Sequence, residues 1–510
     1  MKLQPLSELY SKLDQKARIK LSNVMRLTLE GSDKVLMSPP AERIGEQNVQ
    51  SKWIEFYSSL DKSGWPDALI DMEDRQIEKI GPRSLQKPWS ERKESTFLTF
   101  QPSVSNASCE MTRSPFKSVN FRKLRPASQA TSLKFIKKST SSGAPFMEKK
   151  GEVLDKSVNQ MSLQNLGWAA VLYTRTQEQR KTRDVWGMSL FNVIFETPFF
   201  LPLLNFLRSM TWLSALLGPE AVNDSMDRII RYALANDLVI VSIDFTSFDA
   251  NTRGKIQDCT WEEIRMLFQD TSDVQDDLGL IEEIFRTVGL ITPDGVIEGE
   301  HGTPSGSMFT TPVGSIAHAI VVSSSGVVEL DNSQILIDDG VHLIKRENLE
   351  RFFDEIEKWG FVVNREKSYV EDTFSIYLQH LFHPDLTVDG KIKGVYPISR
   401  AWERYCFMEN FDSFAADNIV GGDYFAIRAL SIVENAKYHP AFEEFCLFLL
   451  KQENGSLVPT EDGITKYIDR LVRTEGSEGI LFNKHGDDPR GIRGWRSYNF
   501  FKNLEEKGRA

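Results

Sequence analysis

The sequence predicts an α+β fold in which helices pack on one face of a sheet, and three observations carry that expectation. "DLVIVSIDF", residues 237–245, is a β-branched run of the right length for one buried strand. "GKIQDCTWEEIRMLFQD", 254–270, and the small-residue stretch "SGSMFTTPVGSIAHAIVVSSS", 305–325, follow it with helical spacing. "ILIDDGVHL", 335–343, then reads as a hairpin, with a helix at 347–358 and strand-like segments beyond it. The order strand–helix–helix–hairpin–helix–strand places helices against a sheet.

Taken in order, residues 1–95 mix short amphipathic helical patterns with polar, Pro-broken connectors and carry no recognisable chemistry. Residues 96–145 are rich in Ser, Thr, Pro and Lys, which predicts extended segments or loops, while 158–172 and 189–216 read as helices. Residues 289–304 read as a Gly/Pro-punctuated loop. "FVVNREKSYV", 361–370, and "SIYLQHLFH", 375–383, each read as a strand, and 400–475 as mostly helical. No internal repeat, Walker A loop or GxGxxG fingerprint is present.

At 510 residues the chain exceeds one compact core and predicts about three to four folding units. Apolar (41%) and charged (26%) contents are those of a soluble globular protein, and a net charge of −11 argues against a basic coat or histone-like protein. Charge is unevenly spread, however. Residues 121–150 hold eight Lys/Arg against the single acid Glu148, a basic strip inside an acidic protein. Cys109, Cys259, Cys406 and Cys446 lack CxxC spacing and are expected to be reduced, buried thiols. The N-terminal stretch has no apolar run, so no signal peptide is expected. The most hydrophobic window, 199–218, is interrupted by Pro202, Asn205 and Arg208, which predicts a buried helix pair and not a membrane span.

Two acidic sites frame the chemistry. Asp244 ends the most hydrophobic strand, where an unpartnered carboxylate costs several kcal/mol to bury. The acids Asp338 and Asp339 precede Gly340 in the hairpin, and Asp-Gly between apolar residues is also a strong turn signal because Gly tolerates φ > 0. The hairpin is therefore either an acidic surface turn or a strand tip that holds metal. Asp244 and Asp338, on two adjacent strand ends, would form an oxygen-only site of the kind Mg²⁺ prefers, with a pair of ions about 3.5–4 Å apart.

"DFTSFD", "GTPSGSMFT" and "IDDG", in that order, resemble motifs A, B and C of viral RNA-dependent RNA polymerases, most closely the picobirnavirus and partitivirus group. "STSSGAPFMEKKG" (139–151) resembles motif G and "RTQEQRKTRDVWG" (175–187) motif F. "WGFVVNREKS" (359–368) and "YLQHLFH" (377–383) resemble motifs D and E. The resemblance implies a right-hand polymerase of fingers, palm and thumb, with an antiparallel palm sheet and helix-rich fingers and thumb. It implies an N-terminal extension bracing fingers and thumb over 1–95 and fingers over 96–235. The palm would span 236–395, with a fingers insertion near 270–300, and thumb and tail 396–510.

It also implies roles. Asp244 and Asp338 would ligate two Mg²⁺ or Mn²⁺ ions, with Asp339 secondary because neighbouring strand side chains face opposite ways. Lys181, Arg183 and Arg175 would face the triphosphate, and Lys367 would protonate pyrophosphate. Asp249 would accept a hydrogen bond from the ribose 2′-hydroxyl, which favours ribonucleotides. Ser305, Gly306 and Thr310 would meet nucleotide, and Ser142, Gly143, Lys149 and Lys150 the template. Two departures from the family pattern stand out. Ile337 replaces the Gly of Gly-Asp-Asp, and Gly314 replaces the motif B Asn or Asp that orients the sugar-sensing acid, unless Ser315 or Thr310 substitutes.

The expected activity is RNA-directed RNA synthesis for a viral genome. The expected partners are RNA template and product, nucleoside triphosphates and a capsid protein, with no membrane and a monomeric state, in the virion interior or host cytoplasm. The rivals are a reverse transcriptase and a degenerate polymerase fold that binds RNA or capsid without synthesis.

Overall fold

In the computed structural model, which describes residues 1–107, 113–410, 419–454, 456–474 and 491–508, the β-branched run forms a strand, Val239–Ile243, buried at every position. It lies inside a four-stranded sheet ordered Tyr369–Glu371, Val239–Ile243, Asp339–Ile344, Ser333–Leu336, with each neighbouring pair antiparallel. Successive side chains alternate between faces, and the two faces bury different cores. Val239, Val241 and Ile243 pack with Ile316, Ile320 and Phe352 of the helices Thr310–Ser324 and Leu349–Lys358. Ile240, Val341 and Leu343 pack with Val222, Met226 and Ile229 of the helix Pro219–Asn236. This corrects the expectation of helices on one face. An unbroken apolar run is apolar on both faces, and both must be covered.

A second sheet of five strands is ordered Lys2–Gln4, Gly295–Glu298, Leu290–Thr292, Ala170–Thr176, Thr182–Gly187. Two expectations fail here. Residues 158–172 are not a helix. The helix is Lys150–Asn159, and Ala170–Thr176 is a strand in which Leu172 and Tyr173 pair with Trp186 and Val185. Likewise 289–304 holds a hairpin, Leu290–Thr292 with Gly295–Glu298, and not only a loop. In both cases cross-strand partners distant in sequence decided the outcome over local pattern.

The apolar window forms the helix Leu190–Leu207 followed by a 3₁₀ turn over Thr211–Leu217. Among the described residues it is the one helix long and apolar enough to cross a membrane, and most of it is buried in the core. "FVVNREKSYV" splits between two sheets: Val362–Val363 pairs with Phe245–Thr246, and Tyr369–Glu371 edges the four-stranded sheet. "SIYLQHLFH" folds back on itself as a hairpin, with Leu378 and Gln379 at φ 48° and 65°. Cys406 and Cys446 are buried and free, as expected. Cys259 is disulfide-bonded, which corrects the expectation of a reduced thiol, and Cys109 lies outside the described residues.

The N-terminal residues link the two ends of the molecule. Lys2–Gln4 extends the five-stranded sheet, and Lys16 and Lys20 hold Glu148, whose pKa they pull down to about 2. Trp53 stacks on Trp402 of the C-terminal helix Ile398–Cys406, and its Nε1 donates to Ser399 at 2.8 Å. Glu73 accepts from the Ile398 and Ser399 amides at 2.7 and 2.9 Å, satisfying the exposed N–H groups of that helix start. Arg83 bridges Glu178, between the strands Ala170–Thr176 and Thr182–Gly187, to Glu403 and Glu409.

Candidate active site

Strand register brings the acids together. Ile243 lies opposite Gly340 and Leu336 opposite Asp339, so Asp244 emerges from its strand beside the end of the hairpin. Asp244 is braced on both sides of its backbone. Its N–H donates to Ser368 Oγ at 3.0 Å, and its carbonyl accepts from Asn364 N–H at 2.8 Å. The hairpin closes through a two-residue turn, Ile337–Asp338, and the left-handed residue is Ile337 at φ 58°. The expectation that Gly340 supplies the positive φ is thus corrected. Gly340 belongs to the strand, and its missing Cβ makes room for the rings of His318 and His342. A β-branched residue in the left-handed region costs on the order of 1–2 kcal/mol.

The acids open into a cavity of about 490 Å³ lined by Lys181, Arg183, Asp244, Asp249, Ser305, Asp338 and Lys367, among others. Its charges perturb one another. Burial raises the Asp244 pKa and Asp338 adds to this, against Lys367, Lys181 and Arg183. Asp249 is pushed up to about 6 by its protein surroundings and by Asp338, although solvent reaches it through the cavity. Asp339 is pushed up to about 7 by its protein surroundings and by Asp338 and Asp244, although its side chain reaches solvent. Its charge also helps raise the pKa of the buried Tyr377 phenol, an effect that comes first from burial. Lys181 is lowered by burial and by Arg183 and Lys367. The cavity thus sets acids against cations at close quarters.

The remaining sequence candidates divide. Ser305 lines the cavity, but its hydroxyl accepts from Trp186 N–H at 3.1 Å. A Cβ on Gly306 would lie 1.8 Å from the Trp186 carbonyl, so Gly306 allows that close approach. Thr310 donates to the Pro304 and Ser307 carbonyls and shapes the same loop. Arg175 pairs with Glu409 at 3.2 Å, outside the cavity. Ser142 is fully buried, its hydroxyl accepting from Glu148 N–H, and Gly143 at φ 62° packs against the Gly187 and Met188 carbonyls. Lys149 is exposed. Lys150 is turned inward, lowered to about 8 by burial beside Glu196. Neither proposed substitute for the Gly314 departure faces Asp249: Thr310 bonds its own loop, and Ser315 accepts from Ile337 N–H at 3.0 Å.

Several cavity residues escaped sequence reading. Ser95 comes from the N-terminal region that carries no recognisable chemistry, Thr96 and Thr99 from the start of the Ser/Thr-rich stretch expected to be loop, and Asn364 from beside Lys367. Asp184 is held by Arg92 and Thr96. The alternation of Lys181 and Arg183 about Thr182 is legible in the sequence, but the continuation of the helix Trp89–Leu98 into the stretch expected to be loop, and its place beside those cations, is not.

Among the described residues, no three His, Cys, Asp or Glu side chains converge as a preformed cage. The donor set still suits a hard cation. Mg²⁺ takes one or two carboxylates and completes its shell with water and substrate phosphates, and mutual repulsion between Asp244 and Asp338 is what a cation would relieve.

Comparison with known proteins follows the same line. Residues 83–385 match the family described as viral RNA-dependent RNA polymerase. The chain is 28% identical, over 89% of its length and 88% of the relative's, to the potential RNA-dependent RNA polymerase of human picobirnavirus. It is 26% identical, over 39% of its length and 40% of the relative's, to the RNA-directed RNA polymerase of Cryptosporidium parvum virus 1. Its fold is similar to the crystal structure of a human picobirnavirus RNA-dependent RNA polymerase, with a TM-score of 0.79, 24% identity, and coverage of 96% of this chain and 99% of that one.

Proposed function

The chain belongs to the viral RNA-dependent RNA polymerases, and from that premise we propose that it replicates and transcribes a viral RNA genome by metal-assisted nucleotidyl transfer from nucleoside triphosphates. The convergence of Asp244 and Asp338 with Lys181, Arg183 and Lys367 on one cavity carries this reading. Membership in the family replaces the reverse-transcriptase alternative.

Asp244 and Asp338 would hold two Mg²⁺ or Mn²⁺ ions, which when bound activate the attacking 3′-hydroxyl and stabilise the pyrophosphate leaving group. Lys181 and Arg183, two residues apart on one face, bind the triphosphate oxygens as charge-assisted donors. Lys367 gives its proton to the departing pyrophosphate. Asp249 accepts from the ribose 2′-hydroxyl. Asp339, exposed and coupled to Asp338 and Asp244, is the secondary acid of the metal site. Arg175 acts by tying its strand to Glu409, and Ser142, Gly143, Ser305, Gly306 and Thr310 act by shaping loops beside the substrate path. Exposed Lys149 contacts the template, while Lys150 stays with Glu196.

Residues 96–235 form the fingers, 236–395 the palm and 396–510 the thumb with its tail, and residues 1–95 brace the outer two. A chain of net charge −11 with cations gathered inside suits a monomer enclosed with RNA by a capsid protein, since an all-basic surface would bind RNA indiscriminately. The test is incorporation of labelled ribonucleotides on a short RNA template with Mg²⁺ or Mn²⁺. Template-complementary product from ribonucleotides is expected. RNA binding without synthesis under either ion would favour the binding-module alternative.

A further inference from the structure

The turn carrying Asp338 is held from behind by a buried chain of imidazoles that the proposed chemistry does not use. Both polar groups of Ile337 are taken by the helix Thr310–Ser324. Its N–H donates to Ser315 Oγ at 3.0 Å, and its carbonyl lies 2.8 Å from His318 Nδ1. A carbonyl only accepts, so the His318 proton is on Nδ1 and its Nε2 must accept. The partner of that Nε2, at 3.1 Å, is His342 Nε2, which therefore donates. His342 Nδ1, left without a proton, then accepts from Ser333 Oγ at 3.1 Å, a hydroxyl whose single proton the Glu329 carbonyl at 3.2 Å also competes for. His318, His342 and Ser333 are all fully buried.

Two glycines open the space this chain needs. A Cβ on Gly340 would lie 2.4 Å from His318 Cε1 and 2.8 Å from His342 Nε2. A Cβ on Gly314 would lie 2.9 Å from Ile337 Cγ2. The two departures from the family pattern, at 314 and 337, are therefore one packing solution. Glycine adopts a left-handed backbone unaided, whereas isoleucine persists there only when its surroundings hold it.

We propose that His318, itself fixed by His342 and Ser333, is a positioning residue that holds Ile337 left-handed and so sets the direction in which Asp338 presents its carboxylate to the cavity. The proposal rests on the reading of Asp338 as a ligand of the divalent ion. It requires that the importance of His318 depend on the side chain at 337.

Mn²⁺ binding to the full chain, followed by electron paramagnetic resonance without nucleotide, tests this alongside the thermal midpoint and RNA synthesis. His318→Leu is expected to weaken Mn²⁺ binding about 10-fold or more, the usual effect of removing a group that orients a ligand. His318→Asn, which keeps an N–H near the Nδ1 position, recovers most of the loss. In an Ile337→Gly background, His318→Leu has a much smaller effect, because the turn no longer needs holding. Ser333→Ala, which loosens only the far end of the chain, follows the same pattern and serves if His318→Leu does not fold. Equal losses in both backgrounds, or a lower midpoint with unchanged Mn²⁺ binding, would overturn the proposal. Wild-type Mn²⁺ affinity in Asp338→Asn would instead sink the ligand reading beneath it.

Discussion

Consider Arg83→Met. The guanidinium is 2.6 Å from Glu178, 2.9 Å from Glu403 and 2.7 Å from Glu409. Arg83 and Glu403 are each 3% exposed, while Glu178 and Glu409 reach solvent at 15% and 22%. Arg400 remains 3.7 Å from Glu178, and Arg175 3.2 Å from Glu409. Glu403 is then the carboxylate that loses its ion-pair partner, with Arg400 acting on it only from farther off. Removing one member of a buried pair costs about 3–5 kcal/mol, and the surviving arginines put this case near the low end.

The pH dependence gives the prediction its edge. Burial pushes Glu403 up to about 7 even with Arg83 beside it. A raised carboxyl contributes stability below its ordinary pKa and loses that contribution as pH rises through the raised value. Without Arg83 the folded-state value rises further, so above about pH 7 the mutant keeps a proton that the wild type has released. The penalty should therefore grow from pH 6 to pH 8 by about 1–1.5 kcal/mol, one pKa unit being about 1.4 kcal/mol. Glu178 and Glu409 also lose Arg83 as a partner against the opposing effect of burial, so any upward shift they undergo adds to the same trend, while Arg400 and Arg175 keep it small. Urea unfolding followed by tryptophan fluorescence at both pH values measures the difference. A penalty that is independent of pH, or below about 1 kcal/mol at pH 8, would refute the reasoning.

Three further substitutions probe the site. Lys367→Met should lower turnover about 100-fold with little change in KM. Because Lys367 opposes the burial that raises Asp244, the acidic limb of the pH–rate profile should also move to higher pH; an unmoved limb would detach Lys367 from Asp244. Asp249→Ala should reduce the preference for ribonucleotides over deoxyribonucleotides by up to about tenfold, the worth of one hydrogen bond, and competition assays showing unchanged preference would remove Asp249 from sugar sensing. Gly306→Ala forces a Cβ to 1.8 Å from the Trp186 carbonyl, a backbone clash that should cost at least about 1–3 kcal/mol; an unchanged thermal midpoint would contradict it.

Much of the central region was legible because its signals are local. The run at 237–245 is too β-branched and too apolar for anything but a buried strand, and the acids at 244 and 338 fall at strand ends by register. The failures share a cause. The segment 158–172 has helical spacing but meets Trp186 and Val185 across a strand pair, and no local pattern reports a partner so distant in sequence. The turn was misread because Asp-Gly is the usual hairpin signal, whereas here Ser315 and His318 hold Ile337 in the left-handed region. The contributions of Arg83, Thr96 and Thr99 were invisible for the same reason: each depends on what the fold brings beside it.

The most direct test of the account compares Asp338→Asn and Asp244→Asn with the wild-type chain in single-turnover ribonucleotide incorporation on RNA, with folding and RNA binding measured on the same samples. The account predicts that both variants fold and bind RNA as the wild type does and that neither extends product with Mg²⁺. Extension by either variant at the wild-type rate would mean that the two strand-end acids are not the site of chemistry.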